Sequence, residues 1–174
     1  MGIQYFQKPQ PLRPIPINTV PAALEAKLGS GLAFPAQVIQ NVWKLAKGLD
    51  KVKQNILVAL FTPVGRRFIR PDYGSLLLYL LFENYDDLIH DELIQATVTC
   101  LQTHLAQQIK VGAVLIDESM LANNSIIIDI SYQILGSMAT DKLRIGYLLQ
   151  ESDSVVFPPD VFVINGRQVL APGN

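Results

Sequence analysis

Two periodicities divide the chain. Before about residue 108 the apolar positions recur at helical spacing, and after Val111 they alternate. Leu49, Val52, Ile56, Ala59 and Leu60 form one helical stripe, with Asp50 placed to cap its start through its carboxylate. Thr62 precedes Pro63, which disfavours helical backbone and predicts the helix end there. Thr62-Pro63-Val64-Gly65 and Pro71-Asp72-Tyr73-Gly74 read as two turns, the first of type I. Between them lie Arg66, Arg67 and Arg70. Ser75 to Phe82 is apolar on nearly every side, predicting a short buried helix. A longer helix is predicted from about Asp86 to Gln108, with Ile94, Val98, Leu101 and Leu105 inward and Asp91, Gln95 and Gln102 outward.

In the second half Ile126, Ile128, Ile130, Tyr132 and Ile134 alternate with Ser125, Asp129, Ser131 and Gln133, the pattern of a strand with one buried face. Leu143, Ile145, Tyr147 and Leu149 repeat it. Val161 to Ile164 and Arg167 to Leu170 flank Asn165-Gly166, the residue pair that suits a two-residue hairpin turn. Helices first and strands later make the fold class α+β: an N-terminal extended arm and helices packed on a small, mainly antiparallel C-terminal β-sheet with a terminal hairpin. No internal repeat is visible.

Residues 1–28 form a proline-rich segment with Pro9, Pro11, Pro14, Pro16 and Pro21. Proline removes a backbone donor and fixes φ, so helix and central strand are both disfavoured. The segment reads either as an extended arm or as a disordered tail. Residues 29–174 read as one domain. Gly29, Gly31 and Pro35 bracket the apolar pair Leu32 and Phe34, and Ala36 to Lys47 suits helix and strand equally.

Composition narrows this picture. With 174 residues and 49% hydrophobic content, the chain is long enough for a real core. A charged fraction of 17% and a mean hydropathy of +0.26 argue against disorder. The longest apolar run, Leu76 to Phe82, falls far short of the about 20 residues that span a bilayer, so no membrane insertion is expected. No secretory signal is recognisable at the N-terminus, and a cytoplasmic site of synthesis is the expectation. Residues 1–82 carry ten Lys/Arg against three Asp/Glu, and residues 83–174 carry four against twelve, a polarity of +7 and −8. Either the two halves neutralise each other within the fold, or they steer subunits into head-to-tail contact.

Catalytic chemistry finds little support. Cys100 is the single cysteine and falls inside the long helix as a packing residue. His90 and His104 lie too far apart to share one metal turn. Glu83, Asp86, Asp87, Asp91 and Glu92 are numerous enough for a glycosidase pair, yet acids at a helix start are accounted for by the helix dipole. No glycine loop for phosphate is present, and no metal or cofactor is expected. The arginines suit bidentate pairing with carboxylates, either Asp72 nearby or those of a partner. Nucleic acid fits poorly, because three arginines in an acidic-leaning chain offer no basic groove with interleaved aromatic platforms.

The stretch Asn55-Ile56-Leu57-Val58-Ala59-Leu60-Phe61-Thr62-Pro63-Val64-Gly65-Arg66-Arg67-Phe68-Ile69-Arg70-Pro71-Asp72-Tyr73-Gly74, followed by Phe82, resembles the core signature of the baseplate wedge or sheath-initiator proteins of contractile phage tails and bacterial contractile injection systems. Gly31-Leu32-Ala33-Phe34-Pro35 resembles the family's upstream Gly-x-x-Phe-Pro, and the looser likeness runs over residues 29 to 150. One departure stands out: Ala106-Gln107-Gln108 occupies the place where the family often has Glu-Pro-Arg, a tripeptide associated with docking onto wedge proteins. The resemblance implies a structural, non-enzymatic role, with sheath subunits, inner tube and baseplate wedge proteins as partners in a sixfold assembly. It implies assembly in the cytoplasm and residence in a phage tail-like particle. It also implies a sheet that accepts strands from the first sheath ring, here the alternating segments Ser125 to Leu135 and Leu143 to Leu149. The interface candidates are Arg66, Arg67, Arg70, Asp72 and Tyr73 on the turns, and Ser125, Ile127, Asp129, Ser131, Gln133 and Arg144 on the strands. Two other functions compete: an acidic cell-wall lysozyme, a label this family has carried, and a small regulatory binding module on the same fold.

Overall fold

The computed structural model describes residues 26–33, 36, 38–81, 83–137, 140–148, 161–165 and 168–170. The proline-rich segment, Phe34, Pro35, Phe82, Leu149, Gly166 and Arg167 fall outside the described residues.

The ambiguous stretch Ala36 to Lys47 forms short strands where it is described, and residues 30–32 add another. β1 (Ser30–Leu32) pairs antiparallel with β4 (Leu45–Lys47), and β2 (Val38–Ile39) pairs with β3 (Val42–Trp43). The turn between β2 and β3 is Gln40-Asn41, with φ of 50° and 62°. Two successive positive φ values match the right-handed twist of a tight hairpin.

α1 runs Gly48–Phe61 and buries Val52, Ile56, Leu57, Ala59 and Leu60. Asp50 is not its cap. The capping position is Lys47, without a side-chain bond, and Asp50 sits within the first turn, where its charge faces the positive end of the helix dipole. The predicted end is correct: Thr62 turns extended, and its amide and hydroxyl both donate to the Val58 carbonyl, at 3.2 and 2.6 Å.

α2 is a single turn, Leu77–Leu80. Only one side of this apolar segment is covered, because Leu77 is fully buried while Leu76 and Tyr79 remain 56% and 49% exposed. α3 spans Asp87–Leu105, and the Asp86 side chain caps it by accepting the Ile89 amide at 2.8 Å. Its buried stripe is Leu93, Thr97, Cys100, Leu101 and Leu105, rotated from the expected one, so that Ile94 and Val98 are half-buried. Polarity misled the periodicity at Thr97, whose hydroxyl is satisfied inside the helix by the Leu93 carbonyl at 2.8 Å.

The second layer is one five-stranded sheet in the order β5-β6-β7-β8-β9, made of β5 (Ile109–Asp117), β6 (Ser125–Ile134), β7 (Thr140–Leu148), β8 (Val161–Asn165) and β9 (Gln168–Leu170). All neighbours are antiparallel except β7 and β8. Asn165 belongs to the β8 strand, paired with Gln168, rather than to the hairpin turn. The inner face carries Ile126, Ile128, Ile130, Tyr132 and Ile134 with Leu143, Ile145 and Tyr147 into a common core with α1 and α3. Lys53 on α1 meets Asp141 on β7 at 3.1 Å, and Asp141 also accepts the Tyr132 hydroxyl at 3.2 Å, which ties the two layers at one edge. The α+β architecture is as the sequence predicts.

Candidate interaction surfaces

The arginine segment is a loop clamped at its neck. The Ser75 amide donates to the Thr62 carbonyl at 2.8 Å and the Val64 amide to the Ser75 carbonyl at 3.3 Å. Inside the neck, the first turn closes from the Arg66 amide to the Pro63 carbonyl at 3.2 Å, one residue later than predicted. That shift puts Gly65 at the third position with φ of 85°, the requirement of a type II rather than a type I turn. The second turn closes from the Tyr73 amide to the Arg70 carbonyl at 3.0 Å.

The loop is docked on α3 through Tyr73. The Arg67 guanidinium lies 3.9 Å from the Tyr73 ring centroid, the Arg70 guanidinium lies 6.0 Å from it, and the His104 ring lies 4.7 Å away, tilted by 38°. His104 Nε2 sits 3.2 Å from the amide nitrogen and the carbonyl oxygen of Gly74, so either neutral tautomer finds a partner there. Burial pushes the Tyr73 phenol above its ordinary pKa, against the lowering effect of Arg67. Asp72 forms no ion pair with the arginines among the described residues; the face of Tyr73 takes Arg67 instead.

What the loop presents outward is more apolar than its arginines suggest. Phe68 and Ile69 are 102% and 90% exposed, beside the exposed Arg66 and Arg70. Sequence reasoning passed over this pair, although two large apolar residues between two turn signals cannot join a helix or strand face and have little choice but to project. On the return side, a groove of about 550 Å³ opens between the loop and α3, floored by Leu76, Leu80, Ala96 and Cys100 and edged by Asp72 and Glu92. Burial pushes the Cys100 thiol up to about 11, partly offset by a hydrogen bond with Ser75, so it is an inert packing group.

The strand candidates fare differently. Ser125 and Ile127 are buried, at 0% and 1% exposure, and are corrected from surface to interior. The Ser125 hydroxyl is satisfied by donating to the Asn123 carbonyl at 3.1 Å, and β6 has β5 on one side and β7 on the other. Pairing also corrects the expected acceptor: β6 is flanked by β5 and β7, and β7 is paired with β6 and, over Arg144 to Tyr147, with β8. Among the described residues the outer strands of the sheet are β5 and β9. Asp129 and Arg144 bind each other at 2.9 Å, and Arg144 also approaches Asp117 at 3.8 Å. Ser131 serves a bulge in β5, where its hydroxyl accepts the Ala113 amide and donates to the Ala113 carbonyl, both at 2.9 Å. Gln133 donates to the Ser137 carbonyl at 3.2 Å. Hydrogen bonds from the Ser119 amide and hydroxyl hold the Asp117 carboxyl below the usual range. Among the described residues no group of His, Cys, Asp and Glu is arranged to hold a metal, and no helix is long and apolar enough to cross a membrane.

Two solved structures share the fold of this chain. The chain shares its fold with a protein of Geobacter sulfurreducens described as a candidate tail lysozyme, at 21% identity and a TM-score of 0.54, over 59% of this chain and 92% of that one. It also shares its fold with a chain of the anti-feeding prophage baseplate, solved with sixfold symmetry, at 21% identity and a TM-score of 0.51, over 75% of this chain and 94% of that one. No protein-family profile matches the chain, and neither does any curated protein.

Proposed function

We propose that this chain is a structural baseplate subunit of a contractile tail or injection system. The observation that carries the reading is the shared fold with the anti-feeding prophage baseplate chain, which extends over nearly all of that chain. The arginine-rich motif that resembles the sheath-initiator signature supports it, because that motif forms a loop clamped on α3 with an outward tip. In this role the protein assembles in the cytoplasm, in several copies, into a sixfold baseplate. The tip formed by Arg66, Phe68, Ile69 and Arg70 meets the inner tube and wedge proteins. An apolar centre flanked by guanidinium groups suits an interface whose partner carries carboxylates around an apolar pocket.

The sheath begins on β5. Its outer edge offers backbone groups for an added strand, and such addition draws affinity from the backbone and register from alternate side chains. The bulge between Val111 and Val114 and the exposed Lys110 blunt the same edge against indiscriminate pairing. A proline pair tests this. Successive residues of a strand point their amides to opposite edges, so of Leu115→Pro and Ile116→Pro one removes a bond to β6 and the other removes only an outward donor. The variant that keeps the parent melting profile should lose recruitment of purified sheath protein to baseplates. Full recruitment by that folded variant refutes β5 as the acceptor.

The lysozyme reading has the described name of the Geobacter protein in its favour. Against it, the carboxylates at the start of α3 have structural roles there: Asp86 caps the helix by accepting the Ile89 amide at 2.8 Å, and Asp87 lies in the first turn facing the helix dipole. Clearing of a peptidoglycan suspension by the purified chain would reinstate that reading.

A further inference from the structure

The β2–β3 hairpin presents an unusual surface. Val38, Ile39, Val42 and Trp43 are 55%, 54%, 67% and 55% exposed, and Leu32 and Leu45 at its base are 53% and 55% exposed. Cross-strand pairing puts Val38 beside Trp43 on one face and Ile39 beside Val42 on the other, so both faces are apolar. A two-stranded hairpin in water is marginal at best, and one that is apolar on both faces gains stability only when something covers it. Lys44 and Lys47 follow directly and are exposed, which makes the patch apolar with a basic border.

The same chain carries the complement. The groove between the arginine loop and α3 is apolar at its floor through Leu76, Leu80 and Ala96, roomy enough for an indole ring at about 550 Å³, and edged by the carboxylates of Asp72 and Glu92. Further exposed acids, Asp86, Asp87 and Asp91, surround the start of the helix that forms its wall. The two patches share no residue. The hairpin precedes the N-terminal end of α1 and the groove adjoins its C-terminal end, about 21 Å apart for a helix of 14 residues. Trp43 does not enter its own groove.

We propose that the hairpin of one copy seats in the groove of a second copy, with Trp43 against Leu76 and Leu80 and Lys44 paired with Glu92. Because donor and acceptor are different surfaces, the contact is head-to-tail and repeats from copy to copy, closing into a ring or extending as a chain according to the rotation it imposes. Lys44 and Lys47 beside the hairpin, and Asp86, Asp87, Asp91 and Glu92 along the helix that walls the groove, orient the encounter. This contact is independent of the β5 edge and of the baseplate reading.

The test uses the full chain. Sedimentation velocity over a concentration series should show association that weakens in high salt, accompanied by a blue shift in emission from Trp43, the sole tryptophan. Trp43→Ser and Glu92→Lys change exposed side chains, should keep the parent melting profile, and should each weaken association by roughly tenfold or more. Mixing these two variants is decisive. Each retains one working half, so a 1:1 heterodimer should form that goes no further, and pairing Lys44→Glu with Glu92→Lys in one chain should recover part of the association. A parent chain that stays monomeric throughout, or a mixture that gives no heterodimer, overturns the proposal. So does association that survives Trp43→Ser undiminished.

Discussion

Arg67 stands over Tyr73, its guanidinium carbon 3.9 Å from the ring centroid, while Arg70 reaches only to 6.0 Å. Attraction between a cation and an aromatic face falls off over this range, so the two arginines should differ in their structural worth. Arg67→Ala should lower unfolding free energy by about 0.5–1 kcal/mol, whereas Arg70→Ala should stay within a few tenths. Urea unfolding of the two variants checks the difference. Equal costs would mean that Tyr73 is held by His104 alone.

Gly74 closes the loop at φ of 132°, and a Cβ there would collide with the Thr62 carbonyl that anchors the neck. Gly65 also has positive φ, at 85°, but a Cβ on it would meet open space. Gly65→Ala should therefore cost only backbone strain, about 1 kcal/mol. Gly74→Ala adds the steric conflict and should cost on the order of 3 kcal/mol or more. Thermal melting separates the two outcomes, since the first variant should keep a parent-like transition and the second should melt far lower.

The elements that sequence conveyed well are those whose signal is local. Thr62 before Pro63 ended α1, and the run of alternating isoleucines marked the buried face of β6. What sequence did not convey depends on neighbours. Ser125 and Ile127 sit at positions that alternation assigns to the outer face, yet both are interior, because burial of that face is decided by what packs on it. Nor does alternation say which strand is an edge. β6 and β7 had the clearest pattern because one face of each is buried, yet β6 is paired on both sides and β7 is paired on both sides over Arg144 to Tyr147. The exposed Phe68, Ile69 and Trp43 were hidden by the opposite rule, that large apolar residues go inside, which holds only on average.

Two buried tyrosines invite contrasting substitutions. The Tyr132 hydroxyl donates to Asp141, and burial together with that carboxylate raises its pKa. The Tyr147 hydroxyl is buried with no hydrogen-bond partner among the described residues, and its ring centroid lies 5.7 Å from that of Phe61. A buried polar group without a partner costs about 1–3 kcal/mol, and replacing it with hydrogen removes that cost. Tyr147→Phe should thus be neutral or stabilising by about 1 kcal/mol, while Tyr132→Phe should destabilise by about 1–2 kcal/mol. Paired denaturant titrations decide this, and a destabilised Tyr147→Phe would reveal a partner for that hydroxyl.

Asp117 gives the sheet a defined response to acid. Its carboxyl accepts hydrogen bonds from the Ser119 amide and hydroxyl and lies near Arg144, so its folded pKa is below the ordinary value of 3.8. A depressed carboxyl pKa means that the unfolded chain binds the proton more readily than the folded one. The stabilisation is therefore complete above 3.8 and is lost as pH falls through the lower, folded value. Asp117→Asn keeps an oxygen for Ser119 but removes the titration. Unfolding midpoints followed from about pH 5 down to about pH 2 should fall more steeply for the parent than for the variant, so that the two curves converge at the acid end. Because the side chain is partly open to solvent, the gap should be modest and should narrow in salt. Parallel curves over that range would show that Asp117 is not a source of the acid response.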